Sequence, residues 1–134
     1  MFAFSQTSIK HLTECHALLQ RLALEVIKTM DCACICGHRG QADQDAAFRI
    51  GKSEVQYPNS KHNSEPSEAM DLVPCVDGKI TWNSLQAYYF SGRVKEISKK
   101  LGISIISGAD FDEDNDVNDQ KLHDPCHFQL KGVV

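Results

Sequence analysis

The amino-acid sequence predicts an α+β fold, in which a small, mostly antiparallel sheet is covered by helices on one face. Two observations predict it: helix-like and strand-like segments are mixed along the chain, and several connections between them are short. The 134 residues, 42% of them hydrophobic and 24% charged, suffice for one core. We therefore expect one domain over residues 1–134, with a helical N-terminal part at about 7–30 and the rest of the core at about 31–130.

The N-terminal part carries apolar residues at helical spacing from Thr7 to Met30. Thr7 or Ser8 can cap the start of this helix. The run can break near Glu14-Cys15-His16 into a short helix and a longer one. A buried strand is then predicted from Asp31 to Gly37.

The middle of the chain is predicted to run helix, loop, strand. A short helix is expected over about Gln41 to Ile50. Residues 51–68 are rich in Gly, Ser, Asn, Pro and charge, which indicates a loop. The next strand is expected from Ala69 to Val73 and is expected to end at Pro74.

The C-terminal third begins with a helix that Asn83 can cap and that Gly102 can close at the C′ position. A strand from Ile103 to Ser107 is expected to follow. A long acidic loop then runs to Asp124, and residues 126–130 form the last predicted strand.

Charge and hydropathy argue against two classes of partner. The formal net charge is −4 and no basic face is evident, which argues against nucleic acid. No apolar run approaches the length of a membrane span. The first 16 residues lack a basic segment before an apolar core, so we expect no signal peptide and synthesis in a cytoplasm.

The six cysteines are expected to be free thiols, because no export signal is evident. Three of them alternate in DCACICGHR and would share one face of a strand. The C-x-x-C pairs of cysteine zinc sites do not occur. We interpret the cysteines as small, buried, apolar residues.

Several histidines and acidic residues suit a catalytic zinc site, in which three protein ligands leave one position open. His62 lies in the loop, Asp71 on the second strand and His127 on the last strand. Asp124, three residues before His127, can reach over a metal and accept a proton from water there. Arg39, in GHRG, can hold a carbonyl oxygen that becomes an oxyanion.

Each of these residues also has a plainer interpretation when taken singly. His62 fits an exposed loop histidine, and His127 fits a hydrogen-bonded core residue. Asp71 can accept bonds from backbone amides, and Arg39 can form a surface salt bridge. Spacing alone therefore leaves the site open.

Four ordered segments resemble the VanY-like zinc peptidases: GHRGQADQDAAF, NSKHNSEPSEAMDLVP, ITW at 80–82 and HDPCHFQL. This family includes D-alanyl-D-alanine carboxypeptidases and the L-alanyl-D-glutamate endopeptidases of phage endolysins. The resemblance covers about Asp31 to Leu130 and is closest to the single-domain phage enzymes. The family motifs fall on Ser60, His62, Ala69, Asp71, Asp124 and His127.

The resemblance implies a fold like that of the hedgehog and D-Ala-D-Ala peptidases, and it implies roles for particular residues. His62, Asp71 and His127 would bind zinc, Asp124 would be the general base, and Arg39 would steady the scissile carbonyl.

Two positions depart from the family pattern, and Ser60 is a further position that is expected near the substrate. Phe111 stands where many relatives carry a tryptophan that shapes the cleft, and Gln129 stands where Glu is common. Ser60 and Phe111 are our candidates for contact with substrate.

The acidic loop offers a candidate second metal site, because alternating oxygen ligands can wrap calcium. Its residues are Asp110, Asp112, Asp114 and Asp116. The loop lacks the Gly and Glu of an EF-hand at the corresponding positions, Asn115 and Lys121. A solvated loop is the favoured interpretation and a calcium site the alternative.

The resemblance implies a zinc peptidase that cuts stem peptides of bacterial peptidoglycan, with the L-Ala–D-Glu bond as the expected target. One alternative is a D-Ala-D-Ala carboxypeptidase. Another, of a different class, is a non-catalytic zinc module that binds or supports other molecules. We expect a monomer that acts on the cell wall after release at phage or prophage lysis.

Overall fold

The computed structural model describes residues 1–132, which form four α-helices, five strands and one 3-10 turn at Lys61–Asn63. The helices are α1 (Gln6–Thr13), α2 (Ala17–Val26), α3 (Gln41–Arg49) and α4 (Ser84–Leu101). The strands are β1 (Cys32–Cys36), β2 (Ala69–Val76), β3 (Lys79–Ile80), β4 (Ile105–Ser107) and β5 (His127–Leu130). None of the helices in residues 1–132 is long and apolar enough to cross a membrane.

The sheet has the order β1-β2-β5-β4, with β3 paired to β2, and each pairing is antiparallel. This confirms the predicted α+β fold with a small antiparallel sheet. Side chains alternate between the two faces of a strand. Met70 and Leu72 therefore enter the main core together with Phe128 and Leu130, where they meet α1, α2 and α4.

The other face of the same two strands carries polar side chains. Asp71 on β2 lies directly opposite His127 on β5. Residues opposite one another in an antiparallel pair have Cβ atoms about 4.5–5.5 Å apart. The register that buries Phe128 therefore also sets the imidazole of His127 beside the carboxylate of Asp71.

The N-terminal helices begin and end close to the predicted positions. The predicted break is confirmed, because α1 ends at Thr13 and α2 begins at Ala17. The predicted cap was wrong: Ser5, not Thr7 or Ser8, is the N-cap, and its Oγ accepts from the amide of Ser8. The backbone becomes helical directly after Ser5, so the capping residue lies closer to the N-terminus than Thr7 and Ser8, the polar residues nearest the apolar run.

Strand β2 runs through Pro74, so the prediction that it stops there was wrong. The amide of Cys75 donates to the carbonyl of Asp31, just before β1, so the proline nitrogen faces the opposite side. On that side β5 pairs only with Ala69 to Asp71, so Pro74 needs no N–H. The extended strand turns into β3 at Asp77 and Gly78, both at positive φ, a hairpin signal that the sequence analysis missed.

All six cysteines are free thiols, as predicted. Burial raises the pKa of Cys15, Cys32 and Cys126 to about 12, so these thiols stay protonated and act as apolar core residues. Cys36 was wrongly placed on the buried face with Cys32 and Cys34. The register of β1 shifts between Cys34 and Cys36, and Cys36 is only half-buried.

Candidate active site

His62, Asp71 and His127 meet at the polar face of the sheet, and all three are buried. Asp71 and His127 are cross-strand neighbours, whereas His62 comes from the 3-10 turn. Ser60 caps that turn by accepting from the amide of His62, and Asn63 donates to the carbonyl of Arg39. Ser60, a substrate candidate from the sequence, thus also holds His62 in place.

Two hydrogen bonds orient the histidine rings. His62 Nδ1 lies 2.7 Å from the carbonyl of Gly37, and His127 Nε2 lies 2.8 Å from Oε1 of Gln129. A carbonyl oxygen only accepts, so both of these ring nitrogens carry the proton. When the rings are neutral, they therefore turn the lone pairs of His62 Nε2 and His127 Nδ1 toward each other and toward Asp71.

The three facing atoms form a triangle. His62 Nε2 lies 3.2 Å from Asp71 Oδ1 and 3.2 Å from His127 Nδ1, and the third edge is 3.5 Å. Zinc bonds of about 2.0–2.1 Å at the tetrahedral angle separate ligand atoms by about 3.3 Å. The donor set and its spacing therefore fit a tetrahedral metal ion that keeps one position open.

Cys36 forms a second candidate group with His62 and Asp71. Its Sγ lies 3.8 Å from Nδ1 of His62, on the side of the ring that already donates to Gly37. The lone pair on Nε2 points away from that side. The ring orientation thus favours His127 over Cys36 as the third donor.

The electrostatics of the triangle favour a charged Asp71. Burial alone would raise the pKa of Asp71, but hydrogen bonds with His127 and His62 hold it well below its usual range. Burial likewise opposes a charge on His62, but the bond to Asp71 raises the pKa of His62 to about 10. Without a metal, a proton shared with His62 neutralises the carboxylate, and a metal ion can take the place of that proton.

Asp124 lies beside the triangle, and its carboxylate comes within 4.8 Å of the donor atoms of Asp71 and His127. Its backbone packs so tightly on Gly108 that a Cβ there would lie 1.9 Å from the carbonyl oxygen of Asp124. Only glycine fits at position 108. Burial, and then the charge of Asp71, raise the pKa of the Asp124 carboxyl.

Gln44, which was not predicted from the sequence as a site residue, holds Arg39 at the site. The guanidinium donates from Nη1 to Gln44 Oε1 at 3.0 Å, and its Nη2 lies 3.9 Å from Asp71 Oδ2. Gln44 is fully buried, and its amide donates to Ser53 and to the carbonyl of Val55. No sequence signal marks Gln44, because its partners come from separate parts of the chain.

A cleft of about 540 Å³ opens over the triangle. Ser60 and Phe111 line it, and the Phe111 ring centroid lies 5.7 Å from that of His127. Both substrate candidates from the sequence therefore face the cleft. Its charged lining is mixed: four residues are basic and four are acidic, namely Arg39, Lys52, Lys61 and Lys121, and Glu54, Asp112, Asp119 and Asp124.

The acidic loop brings the carboxylates of Asp110, Asp112 and Asp114 within 4.8 Å of one another, while Asp116 is not part of this group. Several of these carboxylates accept bonds from amides of the loop itself. Asp110 accepts from Asn115, and Asp114 accepts from Asp116. Such bonds are those of a self-capped, solvated loop, and calcium binding remains a prediction.

A cleft with two histidines and a carboxylate at its floor, and with a second carboxylate and an arginine beside them, is typical of metal-dependent hydrolases. The chain belongs to the phage L-alanyl-D-glutamate peptidase family, whose model matches residues 1–131. This confirms the resemblance seen in the motifs. The family is one of metallopeptidases that degrade peptidoglycan.

Two individual proteins resemble the chain over almost its full length. The L-alanyl-D-glutamate peptidase of Escherichia phage T5 is 30% identical over 136 residues, which cover 96% of this chain and 98% of that protein. The crystal structure of the Serratia marcescens L-Ala D-Glu endopeptidase ChiX superposes with a TM-score of 0.78 at 22% identity. The superposition covers 98% of this chain and 90% of the ChiX chain, and it supports the fold.

Replacing Gln44 with Leu should lower the free energy of unfolding by about 1–3 kcal/mol, the usual cost of leaving buried polar partners unsatisfied. The variant removes the acceptor of Arg39 and the donor to Val55 without changing much volume. Urea unfolding measures the effect. Gln41→Leu, at an exposed position of the same helix, is the control and should change stability by less than about 0.5 kcal/mol. Equal effects of the two substitutions would contradict this role of Gln44.

Proposed function

We propose that this chain is a zinc-dependent endopeptidase that hydrolyses the peptide bond between L-alanine and D-glutamate in peptidoglycan stem peptides. The observation that carries the proposal is the triangle of donor atoms at the floor of the cleft. Family membership supports the class of substrate and bond. The wall-degrading family also supports action on the cell wall after release, as the sequence suggested.

In this proposal the metal is held by His62 Nε2, Asp71 Oδ1 and His127 Nδ1. Two imidazoles and one carboxylate are a common ligand set of catalytic zinc, and the donor separations suit its bond lengths. When bound, zinc supplies a Lewis acid that polarises a carbonyl and lowers the pKa of water to about 7.

The chain's own residues provide proton transfer and orientation. Asp124 accepts the proton of the attacking water and passes it to the leaving amine of D-glutamate, a role that its place beside Asp71 and His127 allows. Arg39, fixed by Gln44, faces the same space and donates to the carbonyl oxygen as negative charge develops there. The cleft carries charges of both signs, and its lysines can pair with the carboxylates that follow the scissile bond.

The two alternatives account for less of what is observed. A D-Ala-D-Ala carboxypeptidase also needs a cation for a terminal carboxylate, which the cleft lysines can supply, but the matched family and relatives are endopeptidases. A non-catalytic zinc module has no need of a half-buried carboxylate such as Asp124 beside the donor atoms, within 4.8 Å of two of them. We therefore favour the endopeptidase.

The proposed reaction is tested by the products formed from purified peptidoglycan. Mass spectrometry should find new N-terminal D-glutamate peptides and glycan strands that keep only L-alanine. Release of D-alanine instead would identify the carboxypeptidase. Failure to release any fragment, with the metal supplied, would contradict the enzyme assignment.

Asp124→Asn should lower hydrolysis by about two to four orders of magnitude, the usual worth of general acid–base catalysis. Metal content, measured by elemental analysis, should stay the same, because Asp124 is not among the three proposed donors. Asp116→Asn, in the exposed part of the acidic loop, is the matched control and should keep full activity. Near-wild-type cleavage by Asp124→Asn would remove Asp124 from the mechanism.

Gln129→Leu should weaken zinc binding about 10- to 100-fold, the usual effect of losing a hydrogen-bond partner of a metal-bound histidine. The reason is that the Nε2–H of His127 loses its acceptor, so Nδ1 is no longer fixed as the free nitrogen. Competition with a chromogenic chelator measures the affinity. Gln129→Glu keeps an acceptor and should retain tight binding. If Gln129→Leu binds zinc like the wild type, the bond does not orient His127.

A further inference from the structure

A second groove shares Asp124 with the cleft, and its walls are aromatic and apolar. Trp82, Leu85, Tyr88 and Pro125 line it. The groove lies where the β3 hairpin passes into α4.

Two large apolar side chains of this groove are left exposed by the fold. Trp82 is 70% exposed and Leu85 84% exposed, whereas Asn83 between them caps α4. The Tyr88 hydroxyl is fixed by His123 Nδ1 at 2.9 Å. Clustered apolar exposure beside a site usually marks a binding surface, and Trp82 adds little to stability at such exposure.

The groove and the cleft differ in charge. The cleft is lined by four Lys or Arg residues and by four acidic residues, whereas within residues 1–132 the groove is lined by no Lys or Arg and by one acidic residue, Asp124. The cleft therefore suits a ligand that carries charged groups and the groove a neutral one. Asp124, the proposed proton acceptor, lies at the boundary between them.

The proposed substrate likewise has a charged side and a neutral side about its scissile bond. On one side, D-glutamate carries a free α-carboxylate and leads to further charged residues. On the other side, L-alanine is joined through a lactyl group to an N-acetylated muramyl sugar, which is neutral.

We propose, on the basis of the proposed function, that this groove binds the muramyl sugar of the glycan strand, with the indole of Trp82 stacked on the sugar ring. The face of an indole is electron-rich, so it attracts the partly positive C–H groups of a sugar. The substrate then crosses the site from the apolar groove, past Asp124, into the charged cleft.

Reach supports this assignment. The lactyl and alanyl units are each about one residue long, so together they span at most about 7 Å. A sugar attached by so short a link must bind next to the reacting carbonyl. Since both the groove and the cleft border Asp124, one end of the groove adjoins the reacting position, and the cleft receives the peptide.

The first test is independent of catalysis. Trp82 is the only tryptophan of the chain, so intrinsic fluorescence reports on this groove alone. Peptide-free glycan strands titrated into Asp124→Asn protein should shift the emission to shorter wavelength, because a stacked sugar removes water from the indole. The shift should saturate. A spectrum unchanged up to millimolar sugar would overturn the proposal.

The second test compares a disaccharide-linked stem peptide with the same peptide freed of sugar and N-acetylated. Trp82→Ala should raise KM about tenfold for the sugar-linked substrate, the usual scale for truncating an aromatic anchor, and leave the free peptide unaffected. Tyr89→Ala is the matched control, because Tyr89 is 59% exposed on α4 but does not line the groove. It should change neither substrate.

The outcomes separate the two proposals. An equal loss on both substrates, or no loss on either, would overturn the sugar site while leaving the endopeptidase intact. If wild-type protein cuts neither substrate between L-alanine and D-glutamate, the proposed function fails. The fluorescence titration still decides whether the groove binds glycan.

Discussion

The buried carboxylate of Asp71 is the constraint on which the site depends. A charged carboxylate in a protein interior is costly unless it is paired. Here two histidines and Arg39 surround it, and strand register produces the pairing with His127. A slip of β5 by one residue would turn His127 into the core and Phe128 into the cleft. The apolar core on one face of the sheet therefore fixes two of the three proposed metal ligands on the other face.

Backbone packing holds the remaining parts of the site. A Cβ at Gly37 would lie 2.3 Å from the carbonyl of His11, so α1 can pack on the end of β1 only because position 37 is glycine. The carbonyl of Gly37 in turn accepts the Nδ1 proton of His62. Gly108 similarly lets the chain at Asp124 pack against the end of β4. Close backbone contacts between residues far apart in sequence thus orient both His62, a proposed ligand, and Asp124, the proposed base.

Much of the fold could be predicted because its signals are local. Asn83 and Gly102 bound α4 as expected, and the break between α1 and α2 was visible in the apolar spacing. The ligand set could be proposed only through family motifs, since His62 taken alone resembles an exposed loop residue. The roles of Gln44 and Gln129 escaped prediction, because each is defined by hydrogen-bond partners that spacing does not reveal.

The identity of the donor atoms is the central claim, and zinc K-edge X-ray absorption tests it most directly. The protein loaded with one equivalent of zinc should show a single shell of nitrogen and oxygen at about 2.0–2.1 Å, with outer-shell scattering from two imidazole rings. That result would match binding by His62, Asp71 and His127. A sulfur shell at about 2.3 Å would place Cys36 on the metal and contradict the account.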